Sequence, residues 1–146
     1  LTQLQAAAAM APDDTRVLFQ LGGAYLETND LDKAIAAFEK GLSSRPDLAT
    51  DALAYDAVVT LGAVYFAKGD SENARAQFER ALVARPGASL ASLGLGKVHV
   101  SGGDRERALA LELFRHVVTT APGSPEAAEA AAFIQELNSH DAGRQP

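Results

Sequence analysis

The strongest constraint on the fold of this chain is an internal repeat. A leucine followed by a glycine, with a Tyr or His three residues after the glycine, occurs three times. The three copies are Leu21, Gly22 and Tyr25; Leu61, Gly62 and Tyr65; and Leu95, Gly96 and His99. The second and third glycines are 34 residues apart, and an alanine follows nine residues after each ring. A period of this length indicates stacked units, because each unit buries its apolar face against a neighbour.

Each copy is predicted to form a pair of α-helices. Apolar side chains recur at helical spacing in the first helix, as in Leu18, Leu21 and Tyr25. A short polar turn follows, in which Gly or Asn provides a left-handed C-cap and Asp or Ser caps the next helix. The second helix places a small residue and a phenylalanine on one face, as in Ala34 and Phe38, and an Arg-Pro or Ala-Pro pair ends it.

The pattern Leu-Gly-x2-Tyr…Ala-x3-Phe…Pro at this period resembles the tetratricopeptide repeat (TPR) family. The first copy matches with Leu18, Leu21, Gly22, Tyr25, Ala34, Phe38 and Pro46, and the second with Val58, Leu61, Gly62, Tyr65, Ala74, Phe78, Ala81 and Pro86. The third departs from the pattern, because His99 replaces the tyrosine and two extra residues lie between Ala108 and Pro122. The phenylalanine of that copy is best assigned to Phe114, preceded by Ala110.

The resemblance covers about residues 1–138 and implies an all-α, right-handed α-solenoid. It comprises about three helix pairs with an extra N-terminal helix and a C-terminal capping helix. We predict a single domain, 1–138, made of a half repeat (1–12), three repeats (13–46, 47–86 and 87–122) and the capping helix (124–138), followed by a disordered tail (139–146). The opening helix stands where the second helix of an earlier repeat would stand, which indicates that the chain was cut from, or descends from, a longer array.

The two end helices have distinct signals. Residues 1–9 are predicted to form a helix that ends before Pro12. Ser124 is a suitable N-cap for the last helix, since Pro125 follows at the first helical position. In that helix we expect Ala128, Ala131, Ala132 and Leu137 to face inward and Glu126, Glu129 and Glu136 to face outward. Such a polar outer face suits the end of a solenoid.

Two insertions interrupt the period. Pro46 and Gly62 are sixteen residues apart where the other junctions have ten, so residues 47–52 either lengthen the following helix by nearly two turns or form a loop. The longer helix is favoured, because no Gly or Pro follows Pro46 in the segment. The two residues inserted after Ala108, within 109–113, form either a π-bulge or a helix extended into its loop, and the extended helix is favoured.

Composition excludes several kinds of chemistry. The chain of 146 residues has no cysteine, which excludes disulfides and thiolate sites. Its three histidines, His99, His116 and His140, have no metal-ligand spacing, and His99 is expected to be a packed core residue. Gly96 and Lys97 do not belong to a phosphate loop, because the other positions of that motif do not match; Gly96 instead lets two helices pack closely. We predict no catalytic residue, no cofactor and no metal.

Charge and hydropathy limit the partners. The net charge is −6, carried by residues 1–73, and there is no basic patch for nucleic acid. Asp13 and Asp14 precede a helix and are interpreted as capping residues. No apolar run is long enough to insert in a membrane. Localisation stays open between cytoplasm and periplasm, and the Ala- and Arg-rich composition is compatible with a bacterial source.

The first helices of TPR pairs line a concave surface on which members of the family bind peptides or helices. The matching residues here are Arg16, Phe19 and Leu26; Asp56, Val59 and Phe66; and Leu93, Lys97 and Val100. This face is predicted to be an exposed apolar stripe, which normally marks a contact site. Family members that grip a chaperone's C-terminal carboxylate carry Asn and Lys or Arg there, and only Lys97 would serve, so a carboxylate clamp is not expected.

The resemblance therefore implies a non-catalytic protein–protein interaction scaffold. It would bind a partner peptide or helix in the apolar groove, in the assembly of an envelope or secretion complex. The acidic N-terminal half would favour basic partners. Two alternatives stay open. One is a self-associating structural module that forms a homo-oligomer, and the other is a regulatory or targeting segment of a larger enzyme.

Overall fold

The computed structural model describes residues 1–44 and 46–142, with side chains described as far as residue 140. These residues form eight α-helices, and none of them lies in a strand. The helices are α1 (Thr2–Met10), α2 (Thr15–Glu27), α3 (Leu31–Leu42), α4 (Ala52–Ala67), α5 (Ser71–Ala84), α6 (Ser89–Val100), α7 (Asp104–Thr120) and α8 (Pro125–Ala142). The all-α prediction of three helix pairs with one more helix at each end is confirmed.

The helices form two compact units, and the single domain over residues 1–138 stays a prediction. The N-terminal unit, Leu1–Ala84, contains α1 to α5, in which α2 pairs with α3 and α4 with α5. The C-terminal unit begins at Arg85 and contains the pair α6 and α7, with α8 packed on both. Each unit therefore buries its own helix pairs.

A glycine facing a phenylalanine holds each pair together. A Cβ atom added to Gly22 would lie 2.9 Å from the ring of Phe38, and one added to Gly62 would lie 2.9 Å from Phe78. In the C-terminal unit a Cβ on Gly96 would lie 2.5 Å from Phe114. The predicted packing role of Gly96 is confirmed, because only a residue without a side chain leaves room for the ring.

The turns in the N-terminal unit follow the predicted capping chemistry. Asn29 and Gly69 adopt positive φ angles of 57° and 79° at the ends of α2 and α4. The side chains of Asp14, Asp30, Asp51 and Asp70 accept hydrogen bonds from backbone N–H groups in the first turns of α2, α3, α4 and α5, at 3.0–3.3 Å. The third turn differs, since Gly103 precedes α7, and Asp104 is the first helical residue instead of the cap.

The first insertion is mainly a turn. Residues 47–50 form turns, in which Asp47 accepts a hydrogen bond from the backbone of Ala49 at 3.0 Å, and Leu48 is buried. The predicted long helix is therefore wrong for residues 47–51. The hydrogen bond between the Asp47 side chain and the backbone N–H two residues later competes with helix formation. α4 nevertheless has ten residues before Gly62, whereas α2 has seven before Gly22.

The second insertion lengthens α7 at its beginning. The helix is α-helical throughout, so the favoured extension is confirmed and no π-bulge is present. Ala108 is exposed, whereas Ala110 is 0% exposed. Ala110 and Phe114 thus take the places of Ala34 and Phe38, and the predicted assignment of Phe114, preceded by Ala110, is confirmed. The two extra residues lie before Ala110, because α7 begins ten residues ahead of its phenylalanine.

The end helices are present with shifted faces. α1 has no buried residue. In α8, Ser124 accepts a hydrogen bond from the backbone of Ala127 at 3.1 Å, which confirms the predicted cap. Ala127 and Ala130 are buried. Of the four residues predicted to face inward, Leu137 is buried, Ala131 is half-buried, and Ala128 and Ala132 are exposed. α8 continues to Ala142, so residues 139–142 are helical, and 143–146 lie outside the described residues.

The Tyr65 hydroxyl joins two helix pairs of the N-terminal unit. It donates a hydrogen bond from α4 to the carboxylate of Glu39 on α3. Burial raises the pKa of Tyr65, and the hydrogen bond and negative charge of Glu39 raise it further. The neutral hydroxyl is therefore the form that the folded state favours.

This pKa shift predicts a loss of stability in alkali. The stabilising effect is complete below the unfolded-state pKa of Tyr, about 10, and declines above it, because only the unfolded chain then releases the proton easily. We expect the free energy of unfolding to fall more steeply above that pH in the wild type than in Tyr65→Phe. Urea unfolding at a series of pH values measures both slopes, and equal slopes would contradict the assigned role.

Candidate functional site

A cleft lies between α2 and α4 in the N-terminal unit. We call it the α2–α4 groove; its volume is about 240 Å³. Its lining residues are Phe19, Gln20, Gly23 and Leu26 from α2, Phe38 from α3, and Leu53, Asp56, Ala57 and Thr60 from α4. The repeat places it there because α2 and α4 are both first helices of their pairs.

The floor of the groove is aromatic and fixed. Phe19 and Phe38 are 5% and 4% exposed, with ring centroids 6.4 Å apart. Phe38 is held by Gly22, and Phe19 lies against Gly41 of α3, where an added Cβ would come within 2.5 Å of its ring. Both rings are thus locked by close contacts with glycine, which gives the groove a preformed apolar base.

Gly23 keeps the groove open. It lines the cleft, and a Cβ added to it would meet no atom within 4 Å. A helical glycine destabilises by about 1 kcal/mol relative to alanine. No packing contact requires this one, in contrast to its neighbour Gly22.

The rim combines apolar and polar side chains. Leu26 is half-buried and Leu53 is 43% exposed, so aliphatic surface remains open on both helices. Leu53 lies on the part of α4 that extends beyond the usual repeat. Asp56 is the only charged residue of the lining, and it makes no ion pair or hydrogen bond with the part of the chain that the structure describes.

The structure brings three of the nine predicted partner-binding residues into this groove, namely Phe19, Leu26 and Asp56. The predicted continuous exposed stripe is wrong, because Phe19, Val59 and Leu93 are only 4–6% exposed. Phe19 packs on α3, Val59 belongs to a helix buried on several sides, and Leu93 lies in the core around Phe114. Arg16 is exposed, and Phe66 is 36% exposed.

The remaining two predicted residues belong to the C-terminal unit. Lys97 of α6 follows the packing glycine Gly96, as Gly23 follows Gly22. Its ammonium group donates a hydrogen bond to Glu129 of α8 at 2.9 Å, so a charged side chain stands where the N-terminal unit has an open position. Val100 is half-buried and packs against the core of this unit.

Six lining residues were not among the predicted partner-binding residues: Gln20, Gly23, Phe38, Leu53, Ala57 and Thr60. Gln20 and Thr60 are polar, so the apolar pattern of the first helices does not indicate them. Leu53 lies one helical turn before Asp56, a signal that the sequence contains once the helix is known to begin at Ala52.

A second cleft lies within the C-terminal unit, with a volume of about 280 Å³. It is lined by Leu95, His99, Leu109, Glu112, Leu113 and His116. His99 is 7% exposed, which confirms the prediction of a packed core histidine. Within residues 1–44 and 46–142, no group of three or more His, Asp or Glu side chains has the arrangement of a metal site. A search of the described helices for a membrane-spanning segment identified none.

Comparison with known proteins agrees with the helix pairs. Two family models match the sequence, over residues 1–59 and 59–125, and both describe the tetratricopeptide repeat. The chain belongs to the tetratricopeptide repeat family. A search of curated protein sequences found no match.

Solved structures give the same fold. The first TPR domain of Spaghetti (RPAP3), bound to the HSP90 peptide SRMEEVD, has a TM-score of 0.73 at 17% identity, covering 88% of this chain and 93% of that one. The Sgt2 TPR domain from Aspergillus fumigatus scores 0.71 at 22% identity, covering 91% and 85%. A TPR protein from Parabacteroides merdae scores 0.76 at 17% identity, covering 94% and 52%. The predicted class, an α-solenoid of the TPR type, is confirmed.

Proposed function

We propose that this chain is a non-catalytic protein–protein interaction module that holds a segment of another protein in the α2–α4 groove. The observation that carries the proposal is the open position at Gly23, above a fixed aromatic floor. A preformed concave site with apolar walls and a few polar groups is the usual form of a binding pocket. Phe19, Leu26 and Asp56 are the predicted residues that contribute to it.

The similar structures support a peptide-sized ligand. The RPAP3 domain, which matches most of this chain, was solved with a peptide of HSP90. Its likeness to this chain extends to the fold alone, so the ligand must be inferred from the lining residues here. A role in the assembly of an envelope or secretion complex is part of the proposal and rests on the resemblance to bacterial proteins of this family.

Filling the groove is expected to abolish partner binding. In Gly23→Leu the new Cβ atom meets no protein atom within 4 Å, so we expect the side chain to enter the cleft and the fold to be retained. Affinity capture from a native lysate, quantified by mass spectrometry, should lose the partners that the wild type retains. Ala36→Leu is the matched control, because it adds the same side chain at an exposed position of α3 that does not line the groove. Identical partner sets for all three proteins would contradict the proposal.

Self-association is the second candidate function. It is favoured by α1, which has no buried residue and ends in Met10 with 88% of its surface exposed. Light scattering over a concentration range separates the two candidates. If the protein is a monomer at all concentrations, the groove is available to another protein. If its molar mass rises with concentration in Gly23→Leu as well, self-association uses a different surface.

A further inference from the structure

We infer that the α2–α4 groove selects an extended peptide segment that places an aliphatic side chain over Gly23 and a lysine or arginine against Asp56. The inference rests on the proposed function and adds the chemistry of its ligand. It follows from three independent features of the lining: the shape at Gly23, the charge of Asp56 and the polar pair Gln20 and Thr60.

The aliphatic position follows from what surrounds Gly23. Phe19 and Phe38 form the floor below it, and the exposed surface of Leu26 and Leu53 lies on the two sides. An aliphatic side chain seated there would remove apolar surface of both partners from water, which stabilises by about 25 cal/mol per Å². The walls are fixed before binding, so little entropy is lost in forming the site.

The basic position follows from Asp56. It is the only charge in the lining, and the described chain offers it no cation. A lysine or arginine of the ligand supplies the missing partner, and the overall negative charge of the protein attracts such a segment from a distance. An acidic ligand would instead bring like charges together.

The C-terminal unit shows the same charge complementarity between two of its own helices. Lys97 occupies the position equivalent to Gly23 and reaches Glu129 on the helix two further along, α8. Asp56 likewise lies on α4, the second helix after α2, but glycine at position 23 provides no cation, and no other described residue pairs with it. In the N-terminal unit, a lysine of the ligand would therefore pair with Asp56 as Lys97 pairs with Glu129 in the C-terminal unit.

The extended conformation follows from Gln20 and Thr60. These side chains line the groove from opposite helices and make no hydrogen bond with the described part of the chain. An amide and a hydroxyl offer both donors and acceptors, which an extended backbone needs. A helical ligand would satisfy its own backbone and leave both groups without use.

Selection of random dodecapeptides displayed on phage tests the inference. On the wild type we expect enriched peptides to contain an aliphatic residue with a lysine or arginine within three positions. On Asp56→Lys the basic preference should change to an acidic one while the aliphatic preference stays. An enriched labelled peptide should bind Asp56→Lys about fivefold or more weakly, as expected when a rim ion pair is reversed.

Controls separate this inference from the proposed function. Glu79→Lys makes the same charge change at an exposed position of α5 outside the groove and should select as the wild type does. Far-UV circular dichroism checks that each variant is folded. If Gly23→Leu reduces enrichment but Asp56→Lys still selects basic peptides, the inference is overturned and the proposed function stands. No enrichment, or enrichment that Gly23→Leu does not reduce, would overturn both.

Discussion

Replacing Phe114 with alanine is expected to lower the free energy of unfolding by about 3–5 kcal/mol. Its ring is 0% exposed, lies against Gly96 of α6, and stacks on Phe133 of α8 with ring centroids 5.0 Å apart. The ring therefore joins all three helices of the C-terminal unit. Its removal leaves a cavity, which α6 cannot close without moving its backbone.

Urea unfolding followed by far-UV circular dichroism measures this loss. Leu109→Ala is the control, because Leu109 lies on the same helix and is 41% exposed. Its loss should stay below about 1 kcal/mol, since surface truncations have small effects. Losses of equal size in the two variants would show that Phe114 is not the centre of the core.

A leucine at Gly22 is expected to destabilise the protein by about 2 kcal/mol or more, whereas a leucine at Gly23 leaves stability unchanged or higher. The Cβ of the first meets the Phe38 ring at 2.9 Å, and that of the second meets no atom within 4 Å. Overpacking costs typically about 1–3 kcal/mol. Both substitutions gain the same helix propensity, about 0.8 kcal/mol, so their difference isolates the packing term.

Thermal and urea unfolding of these two variants give the comparison directly. Gly62→Leu should behave as Gly22→Leu does, because its Cβ would meet Phe78 at the same distance. If Gly22→Leu and Gly23→Leu had equal stability, the close contact between α2 and α3 would not be needed. The predicted reason for the repeated glycine would then be wrong.

The pairing of helices could be predicted because its signals are local. Leu-Gly before a tyrosine, an Asp cap and a phenylalanine at fixed distance recur in the first two copies, and the structure uses all three there. The third copy shows the limit of spacing alone. Ala108 lies nine residues after His99, as in the other copies, but it is exposed, and the buried alanine is Ala110, four residues before Phe114 as predicted. Spacing across a turn does not determine where the next helix begins.

The groove could be predicted only in part. Helical periodicity identifies one face of α2 but not how deeply a side chain on that face sinks between two helices. Phe19 is on the predicted face and is nevertheless buried, because Gly41 on α3 admits its ring. Gln20 and Leu53 became lining residues through the position of α4 relative to α2. That position depends on packing between pairs, which the pattern within one pair does not specify.

The neighbouring glycines Gly22 and Gly23 have two different roles in the structure. A side chain at the first would meet the Phe38 ring on the paired helix, whereas a Cβ atom at the second would meet no protein atom within 4 Å. Lys97 shows the alternative outcome at the second position. After duplication of such a repeat, a single substitution at this position can therefore replace an open groove with an ion pair between two helices of the same unit. Repeats of this kind can diversify in what they bind while their architecture stays under a separate constraint.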